Sequence, residues 1–366
     1  MRVVWFTWKD KKNPAAGGAE VIDDGLATRL VRDGHEVLFV TAGFPGGAKE
    51  ETVNGYRIVR LGNRFSVYWF AYRYYKKNLR GKADLVIDEI NTVPFFCKLY
   101  VRERNIVLCH QLCRQIWFYQ MVFPVNVIGY LLEPLYLRLL NRQTVLTVSA
   151  STKKDLQRHG FRADSIHVFN DGLELETAED LNAMSKFHAP TVLCLGTLRS
   201  MKRALHVVRG FEIAKKRIPD LQLVVAGDGN SGYGRKVLNY IQRSTYHDNM
   251  QYLGRVSLER KIELMRRCHV ICVTSVKEGW GLIVIEANSQ GTPAVVYDVD
   301  GLRDSVKDRV TGLVCDVNSP RDLSEKMVDI LQDNNLYESL RNRAWQESKN
   351  MTFENSYRQF ISMLRD

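Results

Sequence analysis

Residues 278–304 constrain the fold of this chain more than any other stretch. They open with Glu-Gly-Trp-Gly at 278–281, and two glycines so close together favour a tight turn over a regular helix or strand. Residues 282–287 then have the composition of a helix opening, Gly291-Thr292-Pro293 ends that helix, and residues 294–297 read as a short buried strand. The stretch therefore predicts a turn, a helix and a strand in direct succession.

This turn also predicts a binding site for an anion. A glycine turn that leads into a helix presents free backbone N–H groups at the positive end of the helix dipole, which is an arrangement that binds anions. Glu278 stands before the predicted helix, and Glu286 follows eight residues later, about one turn inside it. The pattern predicts that phosphate binds the amides and that sugar hydroxyls bind the two carboxylates.

Length and charge limit the classes of protein that remain. The chain has 366 residues, enough for two ordinary domains, and its formal net charge of +11 favours an anionic partner such as a phosphate, an acidic lipid or a nucleic acid. Its seven scattered cysteines form no disulfide pattern and fit a reducing compartment. We expect no secretion signal and no transmembrane helix, because no apolar run approaches about 18–20 residues.

Strand and helix patterns alternate along both halves of the chain, which predicts parallel α/β sheets. The alternation starts with strand patterns at 3–7 and 35–40 around a helical pattern at 21–33, and it resumes after a polar stretch at 174–188. We predict a first domain at 1–172, a linker at 173–188 and a second domain at 189–349. No G-x-G-x-x-G motif follows the first strand, so a dinucleotide cofactor is not expected.

The E-x7-E spacing of Glu278 and Glu286, the EGWGL turn, the GTPAVV strand, Gly301 and the VTGLVCD run at 310–316 together resemble the retaining glycosyltransferases of family 4. The resemblance covers nearly the whole chain. It implies the GT-B fold, an α/β architecture of two facing Rossmann-like domains with parallel sheets and an interdomain cleft. It also implies a nucleotide-sugar donor, transfer with retention, and no cofactor or essential metal. In such enzymes the last helix, here about 350–366, packs back on the first domain.

The resemblance also assigns roles to residues of the second domain. Glu278 would hold sugar hydroxyls, Glu286 the ribose, and Lys202 the diphosphate. The family motif G-R-L-x3-K is incomplete here, because Thr197 stands where the family has arginine, and Arg199 is the candidate substitute. The remaining predicted donor-binding residues of this domain are Gly196, Gly227, Arg255, Val256, Gly279, Trp280, Gly281 and Leu282.

Two features of the first domain match the family as well. His110 follows an apolar strand pattern at 105–109, and the corresponding family histidine lies at a strand end beside the transferred sugar. The loop with Gly17 and Gly18 corresponds to the family's glycine loop, which approaches the donor phosphates or the acceptor. A plain connection between strand and helix is an equally good interpretation of that loop.

Two apolar segments of the first domain leave alternatives open. The segment from Arg64 to Lys82 holds six Lys/Arg, seven aromatic residues and no acid. As a helix it has the pattern of an interfacial membrane helix, or of a helix packed on the sheet with solvated lysines outside. Its predicted apolar face consists of Phe65, Tyr68, Trp69, Tyr72, Tyr75 and Leu79.

Residues 116–140 are very apolar but are interrupted by Pro124, Gly129, Glu133 and Pro134, which argues against one long helix. A buried helix pair and a shallow membrane-dipping or acceptor-binding segment both fit this pattern.

The resemblance thus implies a metal-independent hexosyltransferase with a nucleotide-sugar donor. We expect a UDP-sugar as the donor and a lipid-linked or cell-surface glycan as the acceptor. It would act as a peripheral protein at the cytoplasmic face of the plasma membrane, and no nucleic acid is expected as a partner. One alternative is a soluble glycosyltransferase with a small-molecule or protein acceptor. Another is a non-catalytic protein that binds nucleotides or nucleic acid, which would need a basic stripe with aromatic platforms.

Overall fold

The structure is a computed structural model that describes residues 1–365. The chain forms two compact units. The first comprises residues 1–117, 122–172 and the C-terminal stretch from 353 onward, and the second comprises 118–121 and 173–352. Each unit contains its own sheet.

The strands are β1 (Arg2–Phe6), β2 (Glu36–Ala42), β3 (Glu50–Val53), β4 (Tyr56–Leu61), β5 (Leu85–Ile90), β6 (Asn105–Cys109), β7 (Val145–Thr147), β8 (Ile166–Val168), β9 (Thr191–Leu195), β10 (Gln222–Ala226), β11 (Met250–Tyr252), β12 (Val270–Val273), β13 (Ala294–Val296) and β14 (Gly312–Val314). The α-helices are α1 (Gly18–Arg32), α2 (Val67–Tyr74), α3 (Trp117–Gln120), α4 (Val125–Leu140), α5 (Ala150–Arg158), α6 (Ala204–Lys215), α7 (Gly232–Arg243), α8 (Leu258–Arg267), α9 (Leu282–Ser289), α10 (Leu302–Ser305), α11 (Pro320–Gln332), α12 (Asn334–Ser348) and α13 (Phe353–Arg365).

The first unit is built on an eight-stranded sheet in the order β3-β4-β2-β1-β5-β6-β7-β8. All neighbours are parallel except β3 and β4. Strand β1 lies near its centre, where Trp5 and Phe6 are fully buried. The C-terminal helix α13 belongs to this unit, and the ring of its Phe360 lies 6.1 Å from that of Trp5. The hydroxyl of Tyr357 on the same helix donates to Asp33 at the end of α1 (2.7 Å).

The second unit is a fully parallel six-stranded sheet in the order β11-β10-β9-β12-β13-β14. The predicted turn–helix–strand succession is confirmed as Gly281, α9 and β13. Residues 173–188, predicted as a linker, pack against this unit. The Lys186 ammonium donates to the carbonyls of Cys268 and Gly291 and to the Thr292 hydroxyl, each at 2.8 Å.

The segment from Arg64 to Lys82 does not present the single apolar face that its pattern predicts. Tyr75 is fully buried, whereas Phe65 and Trp69 are 68% and 59% exposed. The physical reason is that the buried positions Val67, Ala71 and Tyr75 recur every fourth residue, which places Trp69 on the opposite side of α2. Phe65 precedes the helix, and a π-helical turn follows it at Tyr75–Leu79. The buried side of the segment, with Ala71, packs in the core of the first unit.

Residues 116–140 do not form one long helix, as predicted, because α3 ends at Gln120 and α4 begins at Val125, directly after Pro124. Of the two open alternatives, the buried helix pair is wrong, and Pro134 does not interrupt α4. Helix α4 runs through Pro134 for 16 residues, and its outer side is exposed. Pro134 has no N–H for the carbonyl of Tyr130, and the guanidinium of Arg114 donates to that carbonyl instead (3.2 Å). On the buried side of α4, Glu133 accepts a hydrogen bond from the indole of Trp117 (3.0 Å). None of the described helices is both long and apolar enough to cross a membrane.

Three glycines join the loops that follow β9, β10 and β11. The Gly196 N–H donates to the Ala226 carbonyl (2.9 Å), and the Gly227 N–H donates to the Gly254 carbonyl (2.7 Å). Gly227 has φ +140°, and a Cβ there would lie 2.0 Å from the Gly196 oxygen. Backbone therefore approaches backbone so closely that position 227 requires glycine.

We predict that Gly227→Ala lowers the free energy of unfolding by more than about 2 kcal/mol, because alanine adds both positive-φ strain and a clash with fixed backbone. Chemical denaturation followed by circular dichroism measures the change. The matched control is Gly232→Ala, since a Cβ at Gly232 meets no atom within 4 Å. Equal stability of the two variants would contradict this account of the strand ends.

Candidate functional site

The loop after β9 is tied to the end of β12, and this tie positions Lys202. The Thr274 hydroxyl donates to the carbonyls of Lys202 (3.1 Å) and Arg203 (3.0 Å). The Val276 N–H donates to the Met201 carbonyl (2.8 Å). Both contacts lie at the carboxyl end of the sheet, where open α/β sheets bind ligands.

Lys202 and Glu278 form an ion pair at this edge. The Ser275 hydroxyl donates to the same carboxylate oxygen of Glu278. The Glu278 side chain is mostly buried, whereas that of Lys202 is 38% exposed, so the ammonium can also reach a ligand. The Glu278 backbone N–H donates to the Asp300 carbonyl (3.0 Å), and Gly301, with φ +80°, allows this approach.

The turn between Glu278 and α9 leaves backbone donors uncapped. Gly281 is the N-cap residue with φ +91°, and no side chain caps the helix. The Val284 N–H donates to the Gly281 carbonyl (2.8 Å), so the N–H groups of Leu282 and Ile283 are the ones that remain available to an anion. Trp280 is buried, and its indole N–H has no hydrogen-bond partner among the described residues. Leu282 is the first residue of α9.

Glu286 lies inside α9 and pairs with Lys261 of α8 at 2.7 Å. Sequence reasoning did not identify Lys261, because nothing in the local pattern of α8 marks a partner 25 residues away. Each of the two predicted carboxylates is thus held by a lysine, and both remain partly accessible.

The other predicted residues of the second unit occupy loops at the same edge of the sheet. Gly196 and Gly227 directly follow β9 and β10, while Arg255 and Val256 follow Gly254 after β11. Arg199 precedes the 3₁₀ turn at Ser200–Lys202 and is half-buried, and it forms no ion pair with a described residue. Whether Arg199 replaces the family arginine that is Thr197 here stays a prediction.

In the first unit, His110 follows β6 as the pattern predicts. Its Nε2 lies 3.0 Å from Oδ1 of Asp23 on α1, and its carbonyl accepts from the Thr152 hydroxyl (3.2 Å). Asp23 was not identified from the sequence, although its place on the buried side of α1 is unusual for an acid.

Gly17 and Gly18 open α1, with Gly17 as the N-cap. The Gly17 N–H donates to Glu20, three residues on. Gly17 has φ −138°, and a Cβ there would make an ordinary contact of 3.7 Å, so the backbone does not require glycine at 17. Both glycines stay predicted ligand contacts, with a plain helix start as the alternative.

The surroundings of His110 are acidic and buried. Burial, together with the nearby charge of Glu20, raises the pKa of Asp23 well above its usual value. Burial and the charge of Asp23 likewise raise the pKa of Glu89. Burial raises the pKa of Asp171 to about 7. Protons are therefore retained within this group at a pH where exposed carboxyls are ionised.

Among the described residues, the histidine, cysteine and acidic side chains converge as a group of three at Asp23, Glu89 and His110, whose polar atoms lie within 4.8 Å of one another. His110 is bonded to Asp23, and Glu89 accepts from the indole of Trp5. The prediction that the enzyme needs no metal or cofactor stays a prediction.

Two family models match the chain and together span most of it. The model described as Glycosyltransferase Family 4 matches residues 16–177, and the one described as Glycosyl transferases group 1 matches residues 183–347. A curated relative, the N-acetyl-alpha-D-glucosaminyl L-malate synthase of Bacillus anthracis, is 23% identical over 359 residues, which are 90% of this chain and 89% of the relative.

Solved structures share the fold over their full length. Sucrose-phosphate synthase from Thermosynechococcus elongatus has a TM-score of 0.78 at 18% identity, covering 100% of this chain and 98% of its own. Anabaena Alr3699/HepE, solved in complex with UDP and glucose, has a TM-score of 0.74 at 16% identity, covering 100% and 99%. The protein therefore has the GT-B fold, with two parallel-sheet α/β domains, as predicted. It belongs to the family 4 glycosyltransferases and is a sugar-transferring enzyme.

We predict that Asp171→Asn changes the pH dependence of stability. The folded protein holds the Asp171 proton up to about pH 7, whereas the unfolded chain releases it near about pH 4. The free energy of unfolding of the wild type therefore falls as pH rises between these values and is level above. The variant lacks this term, so the slopes of the two curves should differ by up to about 1.4 kcal/mol per pH unit.

Urea denaturation between about pH 5 and pH 8 measures this difference. The control is Asp164→Asn, because Asp164 is exposed and Arg162 lowers its pKa, which moves its titration below this range. Parallel curves for Asp171→Asn and the wild type would contradict a protonated Asp171.

Proposed function

We propose that this enzyme transfers a hexose, with retention at the anomeric carbon and without a metal, from a UDP-sugar to a lipid-linked or cell-surface glycan. It would act at the cytoplasmic face of the plasma membrane. The observation that carries the donor assignment is the Lys202–Glu278 ion pair beside the uncapped start of α9. A cation and free amides suit a leaving diphosphate, and a carboxylate suits sugar hydroxyls.

In the proposed reaction, the leaving diphosphate takes both the negative charge and the proton of the acceptor hydroxyl. The bond between the anomeric carbon and the diphosphate oxygen breaks, and negative charge develops on the diphosphate beside Lys202 and the α9 amides. The acceptor hydroxyl forms its bond to the anomeric carbon on the same face of the sugar. Its proton passes to the departing diphosphate oxygen. Glu278 holds the sugar through its hydroxyls, and Glu286 accepts from the ribose hydroxyls.

Support for UDP is indirect. The neighbour with the same fold from Anabaena was solved with UDP and glucose. Arg255 and Val256 follow β11 at the edge where the base is expected, although their contacts to a base are part of the proposal. The use of His110, which belongs to the first unit, rests on the family resemblance.

Support for a membrane-bound acceptor comes from the outer side of α4. Its exposed apolar residues recur at helical spacing and form what we name the α4 stripe: Val125, Ile128, Leu131, Leu132, Leu135 and Leu139. Each is between 46% and 62% exposed, and the preceding Val122 and Phe123 are about 80% exposed. Burial of the stripe in a lipid interface would contribute about 1 kcal/mol per half-exposed side chain. Apolar surface of this extent marks an interaction site.

Charge near the stripe favours an anionic lipid surface over a protein groove. Arg138 and Arg142 are exposed at the C-terminal end of α4, and the Lys98 ammonium donates to the Leu139 carbonyl (2.7 Å). Glu133 is the one acid between residues 117 and 142, and it is buried. The membrane contact is thus assigned mainly to α4, with Phe65 and Trp69 of the earlier segment as a secondary exposed pair.

A soluble glycosyltransferase with a small-molecule acceptor is the second candidate. Its support is the curated relative whose printed name indicates a malate product. Co-sedimentation with lipid vesicles separates the two candidates, since a soluble enzyme would leave the α4 stripe without a lipid partner.

We predict that Lys202→Met weakens UDP binding at least about tenfold, which is about 1.4 kcal/mol, because it removes the cation beside the diphosphate. Isothermal titration calorimetry with UDP, without added metal, measures the change. Lys307→Met is the matched control, since it removes a lysine paired with Glu347 in the same unit. Unchanged affinity of Lys202→Met, with both variants folded, would contradict the donor assignment.

We predict that the wild type co-sediments with vesicles of phosphatidylcholine and phosphatidylglycerol, and less with phosphatidylcholine alone. Changing both Leu131 and Leu135 to Glu should weaken this binding about tenfold or more, because both apolar and electrostatic terms are lost. Leu258→Glu, at an equally exposed leucine of α8, is the control. Absence of vesicle binding by the wild type would favour the soluble candidate.

A further inference from the structure

Four buried carboxyls lie around His110. We name them the acidic cluster: Glu20, Asp23, Glu89 and Asp171. Each is at most 4% exposed. They come from three different places in the first sheet layer, namely α1, β5 and the loop after β8. An acidic group of this size in a protein interior is costly unless cations or protons neutralise it.

The cations near the cluster are too few to neutralise it. The Lys9 ammonium lies 2.9 Å from Glu20, and His110 lies 3.0 Å from Asp23. The charged and titratable groups that face the pair of Asp23 and Glu89 are therefore Lys9, Glu20, His110 and Asp171. With four carboxyls and two groups that can be cationic, at least part of the cluster must be protonated.

The hydrogen bonds show where one proton is needed. Oδ1 of Asp23 is bonded to His110, whereas its buried Oδ2 has no hydrogen-bond partner among the described residues. Polar atoms of Asp23 and Glu89 lie within 4.8 Å of each other. Two carboxylates at this distance cannot both ionise readily, and a proton between them would satisfy the orphaned oxygen.

The contacts of Glu89 favour it as the protonated member of the pair. Its Oε2 accepts from the Trp5 indole N–H (3.0 Å), and Asn91 donates to its Oε1 at 3.4 Å and to Glu20 at 2.9 Å. These neutral donors orient the Glu89 carboxyl without adding a positive charge. Burial and the Asp23 charge raise its pKa, which agrees with a carboxylic acid at neutral pH.

We propose that Asp23 and Glu89 are positioning residues for His110: Glu89, as a carboxylic acid, donates its proton to Oδ2 of Asp23, and the Asp23 carboxylate accepts the Nε2–H of His110 through Oδ1. This inference rests on the proposed use of His110 in sugar transfer. It fixes the tautomer and plane of the ring and leaves Nδ1, which forms no hydrogen bond with a described residue, as the nitrogen that faces substrate. Loss of the shared proton places two adjacent carboxylates behind the ring and disturbs it.

The test is the pH profile of UDP release from UDP-glucose, UDP-galactose and UDP-N-acetylglucosamine with water as acceptor. In the wild type, kcat/KM should fall at alkaline pH as the pair loses its proton. Glu89→Gln replaces the acid with a neutral donor of the same shape, so it should keep activity within about threefold at neutral pH and lose this alkaline limb. Asp23→Asn should lower kcat at least about tenfold with the donor KM nearly unchanged.

Glu36→Gln, at an exposed glutamate that starts β2, is the matched control and should retain the wild-type profile. An alkaline limb in Glu89→Gln identical to that of the wild type would overturn the inference. Loss of activity with a chelator would also overturn it, because a metal ion would then take the place of the proton.

A second measurement separates this inference from the proposed function. If the wild type releases no UDP, the proposed function fails, yet [15N]histidine NMR still decides the inference. His110, assigned through His110→Gln, should carry its proton on Nε2 in the wild type and in Glu89→Gln. Its signals should shift at alkaline pH in the wild type alone. A proton on Nδ1, or equal shifts in both proteins, would overturn the proposal.

Discussion

The ion pair between Lys202 and Glu278 is the contact on which the donor half of this enzyme depends. It joins loops that follow two neighbouring strands, and the loop after β12 donates hydrogen bonds from the Thr274 hydroxyl and the Val276 N–H to carbonyls of the loop after β9. Removing the lysine leaves a mostly buried carboxylate without its cation, which is more costly than never having formed the pair. Because the ammonium remains partly exposed, the same contact that stabilises the loops can also bind a diphosphate. Stability and ligand binding are therefore coupled at this position.

Local patterns in the sequence predicted much of the fold and the donor half of the site. The glycines at 281 and 291 and the proline at 293 set the limits of α9 and β13, because these residues act on the chain through their own dihedral angles. The partners of the site residues could not be found in this way. Lys261 reaches Glu286 from another helix, and Asp23 reaches His110 across 87 residues. Such contacts depend on how elements pack, which no window of sequence contains.

The errors in the first domain have the same physical origin. The pattern of residues 64–82 placed Trp69 on the apolar face, but Val67, Ala71 and Tyr75 form the buried side of the helix, and Trp69 lies opposite them. Residues 116–140 are interrupted before Val125, as Pro124 suggested, but α4 continues through Pro134 because Arg114 bonds the carbonyl of Tyr130. As a result, α4 presents the exposed apolar residues of the α4 stripe. Composition indicated a membrane partner, while the surface that would bind it depends on tertiary structure.

The anomeric configuration of the first-formed product tests the central claim most directly. The enzyme, incubated with a UDP-α-sugar, releases a sugar or glycoside whose anomeric proton is read by NMR before mutarotation. The account predicts an α product from the wild type and a large loss of product from Glu278→Gln. A β product would contradict retention, and undiminished product from Glu278→Gln would contradict the role given to the Lys202–Glu278 pair.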